Sequence, residues 1–279
     1  MSYSLNLKEI RGQAALALLE IGKELVHAVS SNQVGAASFK SGTEIFTQLD
    51  LWAEQELKSR LQRILPGSHF IGEEGQCASS PSELCRRLSE ESPLWVVDPI
   101  DGTNNFCNLI PHFAISVALV NEGRVVLGMI YDPNRDELYH AEKGKGAYRN
   151  GLPINPSATD SLANSLVSFY FPIEGGRLAP FWTQIEKAVV RARASRSHGC
   201  ATLDLCWVAC GRMELALMTT LQLWDLAAGY LIASEAGVKI CNYPEVDSEF
   251  NFFERHFVFA APAIWQEVKQ SVLGHPLMA

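Results

Sequence analysis

Several features are missing from this sequence, and each absence narrows the reading. No uninterrupted apolar run approaches the ~20 residues of a membrane-spanning helix. The opening Met1-Ser2-Tyr3-Ser4-Leu5 lacks the charged-then-apolar architecture of a signal peptide. No internal repeat or low-complexity tract occurs. Excess positive charge is missing too: 23 Lys and Arg stand against 31 Asp and Glu, a net charge of −8, so no nucleic-acid partner and no membrane are expected. The seven cysteines are odd in number and scattered, which argues for reduced thiols and a cytoplasmic location rather than a disulfide framework. Cys206 and Cys210 could share a helix face as metal ligands. No second pair completes a zinc set, so both are read as small buried helix residues.

What is present is an ordinary globular composition, 47% hydrophobic and 19% charged over 279 residues, enough to bury a sizeable core. Leu7, Ile10, Ala14, Leu18, Ile21 and Leu25 step by three and four, the spacing of one helix face. Gly35 to Gly42 reads as a loop and Thr43 to Phe46 as a short strand. A second helix opens at Thr47-Gln48-Leu49-Asp50, where Thr47 and Asp50 have capping-box spacing. His69-Phe70-Ile71 is a strand ending in Glu73-Glu74, and Cys77 to Glu91 a polar surface excursion. Phe113 to Val120, Val125 to Tyr131, Glu137 to His140 and Gly146 to Tyr148 read as an antiparallel meander. Pro153 to Ser161 marks the expected domain boundary, dividing 1–155 from 156–279. Beyond it the elements alternate: strand Ser165 to Phe171, helix Pro180 to Ala194, helix Gly199 to Cys210, strand Met213 to Met218. Helix Trp224 to Ala236, strands Val238 to Cys241 and Phe257 to Ala260, and a helix from Pro262 to Leu273 complete the chain.

The chemistry concentrates in Trp95-Val96-Val97-Asp98-Pro99-Ile100-Asp101-Gly102-Thr103. An apolar strand from Leu94 is expected to stop at Asp98, because Pro99 withholds a ladder hydrogen bond. Two acids, a glycine and a hydroxyl then stand ahead of a helical turn, a pattern suited to metal and phosphate. Carboxylates repel phosphate, so such a site needs divalent cations. Glu73 and Asp225 supply further hard oxygen donors of the kind Mg²⁺ prefers. Each has a plainer reading: Glu73 as a solvated turn residue, Asp225 as a helix N-cap, Asp50 as a capping acid.

Asp98-Pro99-Ile100-Asp101-Gly102-Thr103, Gly72-Glu73-Glu74 upstream and Trp224-Asp225-Leu226-Ala227-Ala228-Gly229 downstream resemble the inositol monophosphatase family, over nearly the whole chain. Thr47-Gln48-Leu49-Asp50 and Gly144-Lys145-Gly146-Ala147 fall in the family's order as well. The resemblance implies an α+β fold, a layered α/β/α/β/α sandwich of the inositol monophosphatase/fructose-1,6-bisphosphatase type. It also implies two or three Mg²⁺ per site, inhibition by Li⁺ and a homodimer. By motif position Glu73, Asp98, the Ile100 carbonyl, Asp101 and Asp225 would hold metal. Thr103 with Asp50 would activate the attacking water, Gly102 and Thr103 would seat the phosphate, and Gly199-Cys200-Ala201 would line the sugar side. The implied activity is hydrolysis of a small polyol or sugar phosphate, inositol monophosphate first. Fructose bisphosphate, histidinol phosphate, 3′-phosphoadenosine nucleotides and a non-catalytic regulatory role are the alternatives.

One position departs from the family. An acid that grips substrate hydroxyls is expected seven residues before Asp225, and Met218 stands there. A thioether cannot accept two strong hydroxyl hydrogen bonds, so affinity for inositol should fall or the preferred alcohol should differ. Glu214, four residues earlier, would be the substitute acid if the alignment slips.

Overall fold

The computed structural model describes residues 5–35, 38–41, 44–75, 81–88, 92–170 and 181–274. Two helices come first in the layering. The periodic helix α1, Leu7–Ser30, is capped by Asn6, whose side chain accepts from Glu9 N. Helix α2, Gln48–Ile64, has the expected capping box, with Asp50 Oδ2 accepting from Thr47 N at 2.8 Å. Both lie on one face of a seven-stranded sheet in the order β3-β4-β5-β6-β7-β8-β9. Its strands are β3 (His69–Gly72), β4 (Leu94–Asp101), β5 (Ala114–Asn121), β6 (Arg124–Asp132), β7 (Glu137–Glu142), β8 (Ala147–Arg149) and β9 (Leu152–Pro153). Only β3 pairs parallel, with β4; the rest form the antiparallel meander read from the turns.

Side-chain alternation along β4 divides the core. Trp95 and Val97 point toward α1 and α2, while Leu94 and Val96 point toward a middle layer. That layer is made of α6, Ala201–Ala209, and α7, Leu223–Ala236, both rich in small and branched apolar residues because they are covered on two sides. Beyond it lies a five-stranded sheet in the order β11-β10-β12-β14-β13. Its strands are β10 (Leu166–Tyr170), β11 (Ala194–Arg196), β12 (Leu215–Thr219), β13 (Lys239–Asn242) and β14 (His256–Ala260). Helix α5, Trp182–Arg191, and a C-terminal stretch close the outer face. The order is therefore helix, sheet, helix, sheet, helix, the sandwich implied by the resemblance. Among the described residues no helix is long and apolar enough to cross a membrane.

Several local expectations change. Strand β4 does not stop at Asp98; it runs through Pro99 to Asp101 by way of a bulge. Three steps on β4, Asp98 to Asp101, match two on β5, Ser116 to Ala114, and the proline sits in the irregular step where no ladder bond is required. The loop expected over Gly35 to Gly42 contains β1, Ser38–Ser41, paired antiparallel with β2, Glu44–Phe46. The polar excursion contains helix α3, Pro81–Leu88; residues 77–80 and 89–91 of it lie outside the described residues, as do Phe171 and Pro180. Strand β11 was not anticipated, and α5 ends before it, at Arg191. The final helix is instead a 3-10 turn, Pro262–Ile264, then Trp265–Glu267 and a π-helical Val268–Val272.

The middle layer approaches the large sheet closely at Gly128 in β6, where an added Cβ would lie 2.7 Å from the Ala228 carbonyl of α7. Main chain meets main chain there, so neither side can yield by changing rotamer. Gly128→Ala should destabilise the chain by about 1–3 kcal/mol in urea denaturation. An unchanged midpoint would show that α7 does not press on β6 as described.

Candidate active site

Asp98 and Asp101 reach one side of the large sheet because of the bulge. In a regular strand Asp98 and Asp101, an odd number of residues apart, would face opposite sides of the sheet. The extra residue in β4 brings both toward the middle layer. Asp98 Oδ1 accepts from Ile100 N at 2.9 Å, an Asx turn that holds the bulge in shape. Asp225 arrives from α7, whose start is tied to β5 by Ser116 Oγ donating to the Trp224 carbonyl at 3.1 Å. Asp225 is not the N-cap residue. Gln222 caps α7, and Asp225 reaches back to accept from Gln222 N at 2.7 Å. Glu73 follows β3, its N–H donating to the Val97 carbonyl at 3.2 Å. The adjacent Glu74 N–H is held by Glu54 of α2 at 2.7 Å.

These carboxylates sense one another. Burial first, then Glu73, Asp101 and Asp225, push the Asp98 carboxyl well above its ordinary range. Burial, Asp101 and Glu73 do the same to Asp225, which shares a hydrogen bond with Asp98. Burial also raises Asp101, opposed by donors at the start of α6: Thr202 N at 2.7 Å, Thr202 Oγ1 at 2.6 Å and Cys200 Sγ at 3.1 Å. Among the described residues no Lys or Arg forms an ion pair with Asp98, Asp101 or Asp225. Nor do three His, Cys, Asp or Glu side chains among them converge as a finished ligand set. Asp101 and Asp225 turn instead to N–H and hydroxyl donors. An all-oxygen donor set with mutually repelling charge fits a hard divalent cation such as Mg²⁺ and does not fit a soft one.

Beside the acids is a hydroxyl relay. Thr103 Oγ1 lies 3.0 Å from the Ile100 carbonyl and 3.4 Å from Asp50 Oδ1. Asp50 is 1% exposed and is also held by Thr47 N and Thr47 Oγ1, and its bond from Thr103 connects it to the site. Thr103 opens the short helix α4, Thr103–Cys107, after Gly102 at φ +94°. A side chain at Gly102 would meet the His112 carbonyl at 3.1 Å and the Gly199 carbonyl at 3.2 Å, so only glycine lets the two loops close here.

The sugar-side residues are placed differently from expectation. Gly199, at φ +74°, is against Gly102, but Cys200 and Ala201 are buried, the thiol bound to Asp101 and the alanine packed in the middle layer. Met218 is fully buried in the same apolar cluster, so its side chain presents no surface to a substrate, contrary to the expectation. Its strand neighbours in register are Tyr170 and Phe257. Glu214 is no substitute: it sits at the other end of β12, its carboxylate accepting from Leu166 N at 2.6 Å.

Sequence reasoning missed several supports. Thr202 grips Asp101, and a hydroxyl in the first turn of a helix gives no signal of that. Asn105 Nδ2 donates to the His112 carbonyl at 2.8 Å and the His198 carbonyl at 2.7 Å. His198 Nδ1 is 2.7 Å from Oδ1 of Asp204, a residue 1% exposed whose carboxyl burial pushes up to about 6 against the pull of His198. His112, against the His198 ring, is lowered to about 4 by burial, His198 and Arg135.

A raised folded-state pKa means the folded chain keeps protons that the unfolded chain has lost, so stability falls as pH rises past the ordinary carboxylate value. In chelator-treated protein, Asp98→Asn should therefore raise the melting temperature near about pH 8 and change it little near about pH 5. A lower melting temperature for the variant near about pH 8 would show that Asp98 carries no repulsion.

The sequence model for the inositol monophosphatase family matches residues 6–273. The Nus factor SuhB of Pasteurella multocida is 32% identical over 237 residues, 84% of this chain and 85% of that protein. The inositol-1-monophosphatase of Rhizobium meliloti is 34% identical over 222 residues, 79% of this chain and 80% of its own. The crystal structure of the extragenic suppressor protein suhB from Bartonella henselae superposes with a TM-score of 0.83 at 28% identity, covering 95% of this chain and 98% of that one. With its layers, its Asp-Pro-Ile-Asp-Gly-Thr turn and these likenesses taken together, the chain belongs to the inositol monophosphatase family.

Proposed function

We propose that the protein is a Mg²⁺-dependent phosphomonoesterase for a small polyol or sugar phosphate, with inositol monophosphate the first substrate to test. The observation that carries this reading is the Thr103 hydroxyl, set between Asp50 and the Ile100 carbonyl at the start of α4 and beside the carboxylate cluster. Two or three Mg²⁺ ions would be held by Glu73, Asp98, Asp101, Asp225 and the Ile100 carbonyl, and when bound they supply the charge that acidifies an attacking water and stabilises a leaving alkoxide. The chain's own contribution is positional. Thr103 accepts a hydrogen bond from the water and passes its own proton toward Asp50, whose burial keeps it from competing water. The main-chain N–H groups of Gly102 and Thr103 seat the phosphate at a helix start. Asp101, held by Thr202, stays on the leaving-group side.

We further infer a homodimer in the cytoplasm, sensitive to Li⁺. The exposed Leu109 and Ile110, just after α4, support an apolar contact between copies. A second reading, that the chain works as a regulatory binding protein, is favoured by the relative named as a Nus factor. The retained Asp50–Thr103 pair argues for hydrolysis, because a binding protein has no use for a proton path.

Phosphate release from inositol monophosphate, fructose bisphosphate, histidinol phosphate and 3′-phosphoadenosine phosphate should be Mg²⁺-dependent for at least one of them. Thr103→Ala should lower kcat by roughly 10²–10⁴-fold, the usual worth of an acid–base group. Asp98→Asn should abolish turnover. No release from any of the four with Mg²⁺ present would sink the phosphatase reading, and a cellular role that survives Asp98→Asn would favour the regulatory one.

A further inference from the structure

Asp204 is an acid buried inside the apolar middle layer, yet it serves neither the metal site nor the hydroxyl relay. Burying a carboxylate costs several kcal/mol unless partners offset it. An acid in the first turn suits the helix dipole, but a solvated position would provide that without the burial. Its side chain meets His198 instead, at 2.7 Å. The His198 carbonyl accepts from Asn105 at 2.7 Å, and the same amide nitrogen holds the His112 carbonyl at 2.8 Å. The two histidine rings lie 5.1 Å apart, and each meets Trp207 edge-on, at 5.0 Å and 5.3 Å. The loop entering α6 is thus fixed at its ring by Asp204 and at its main chain by Asn105. Gly199, the next residue, closes on Gly102.

We propose that the Asp204–His198 pair is a positioning device for the phosphate seat, acting through Asn105. Asn105 belongs to α4, the helix whose first N–H groups make the seat. When loss of the ring contact lets the His198 main chain shift, its carbonyl leaves Asn105, the amide loses one of its two anchors and the Asn105 turn of α4 is free to move against Gly199. The seat then loses its orientation toward phosphate, while Thr103, at the first position of α4, stays tied to the Ile100 carbonyl and Asp50, and the carboxylates keep their own contacts. The inference rests on the phosphatase reading and names residues outside its chemistry. Asp204, His198 and Asn105 touch no reacting atom.

The test combines kinetics with calorimetry of inorganic phosphate in the presence of Mg²⁺. His198→Ala and Asp204→Ala should raise KM and the phosphate Kd by about 10-fold while kcat changes less than about 3-fold, the signature of lost ground-state binding. Asp204→Asn keeps an acceptor for the imidazole N–H and should restore most of the affinity, which also covers the case that Asp204→Ala fails to fold. In an Asn105→Ala background, His198→Ala should add almost nothing, because both act along one path. Unchanged KM and Kd with only a lower melting temperature would overturn the proposal, as would effects that multiply in the double variant. Absence of turnover in the unaltered chain would count against the phosphatase reading alone. Phosphate calorimetry would still decide whether the pair positions the seat.

Discussion

The structure depends on holding like charges together. Asp98 is buried at the end of a buried strand with Glu73, Asp101 and Asp225 acting on it. Left to themselves such groups separate or take up protons; here hydrogen bonds offset the repulsion, with Asp98 and Asp225 sharing one and Asp101 leaning on Thr202 and Cys200. Everything around them resists dispersal. The Asx turn of Asp98, the tether from Ser116 to Trp224 and the grip of Glu54 on the following loop each fix a main chain that carries an acid. Folding has thereby met much of the cost of bringing Asp98, Asp101 and Asp225 near one another.

The five layers follow from this. Acids delivered by β3, β4 and α7 can meet only if α7 lies directly on the large sheet, and the glycine in β6 allows that approach. A middle layer covered on both faces must be apolar all round, which α6 and α7 are. The small sheet is then needed to cover their second face. It contributes no acid to the cluster, and its part in the site is structural support for the two helix starts.

How much of this could be read from residues depended on whether the determinant was local. The α1 stripe, the Thr47–Asp50 box and the meander turns rest on contacts within a few positions, and each formed where the pattern put it. The acids were identifiable as a set because they stand at element ends in short motifs. What failed was long-range. Pro99 looked like a strand terminus because a bulge exists only in relation to a partner strand. Asp225 looked like a cap because its distance from Gln222 is a matter of where the helix begins. Thr202 and Asn105 act across 101 and 93 residues of separation, with no spacing rule to betray them, and Asp204 meets His198 six positions away across a loop that no helix or strand period describes.

Met218 shows how far the small sheet stands from the charged cluster. An acid at that position would have brought acceptors for hydroxyls. A fully buried thioether in register with Tyr170 and Phe257 continues the apolar core through the central strand of the small sheet. The cluster at Asp98 is indifferent to that position, since its acids take their hydrogen bonds from Ile100, Thr202, Cys200 and Gln222. The small sheet therefore supports the site from behind, and a change at position 218 alters packing there without touching the charges gathered at Asp98.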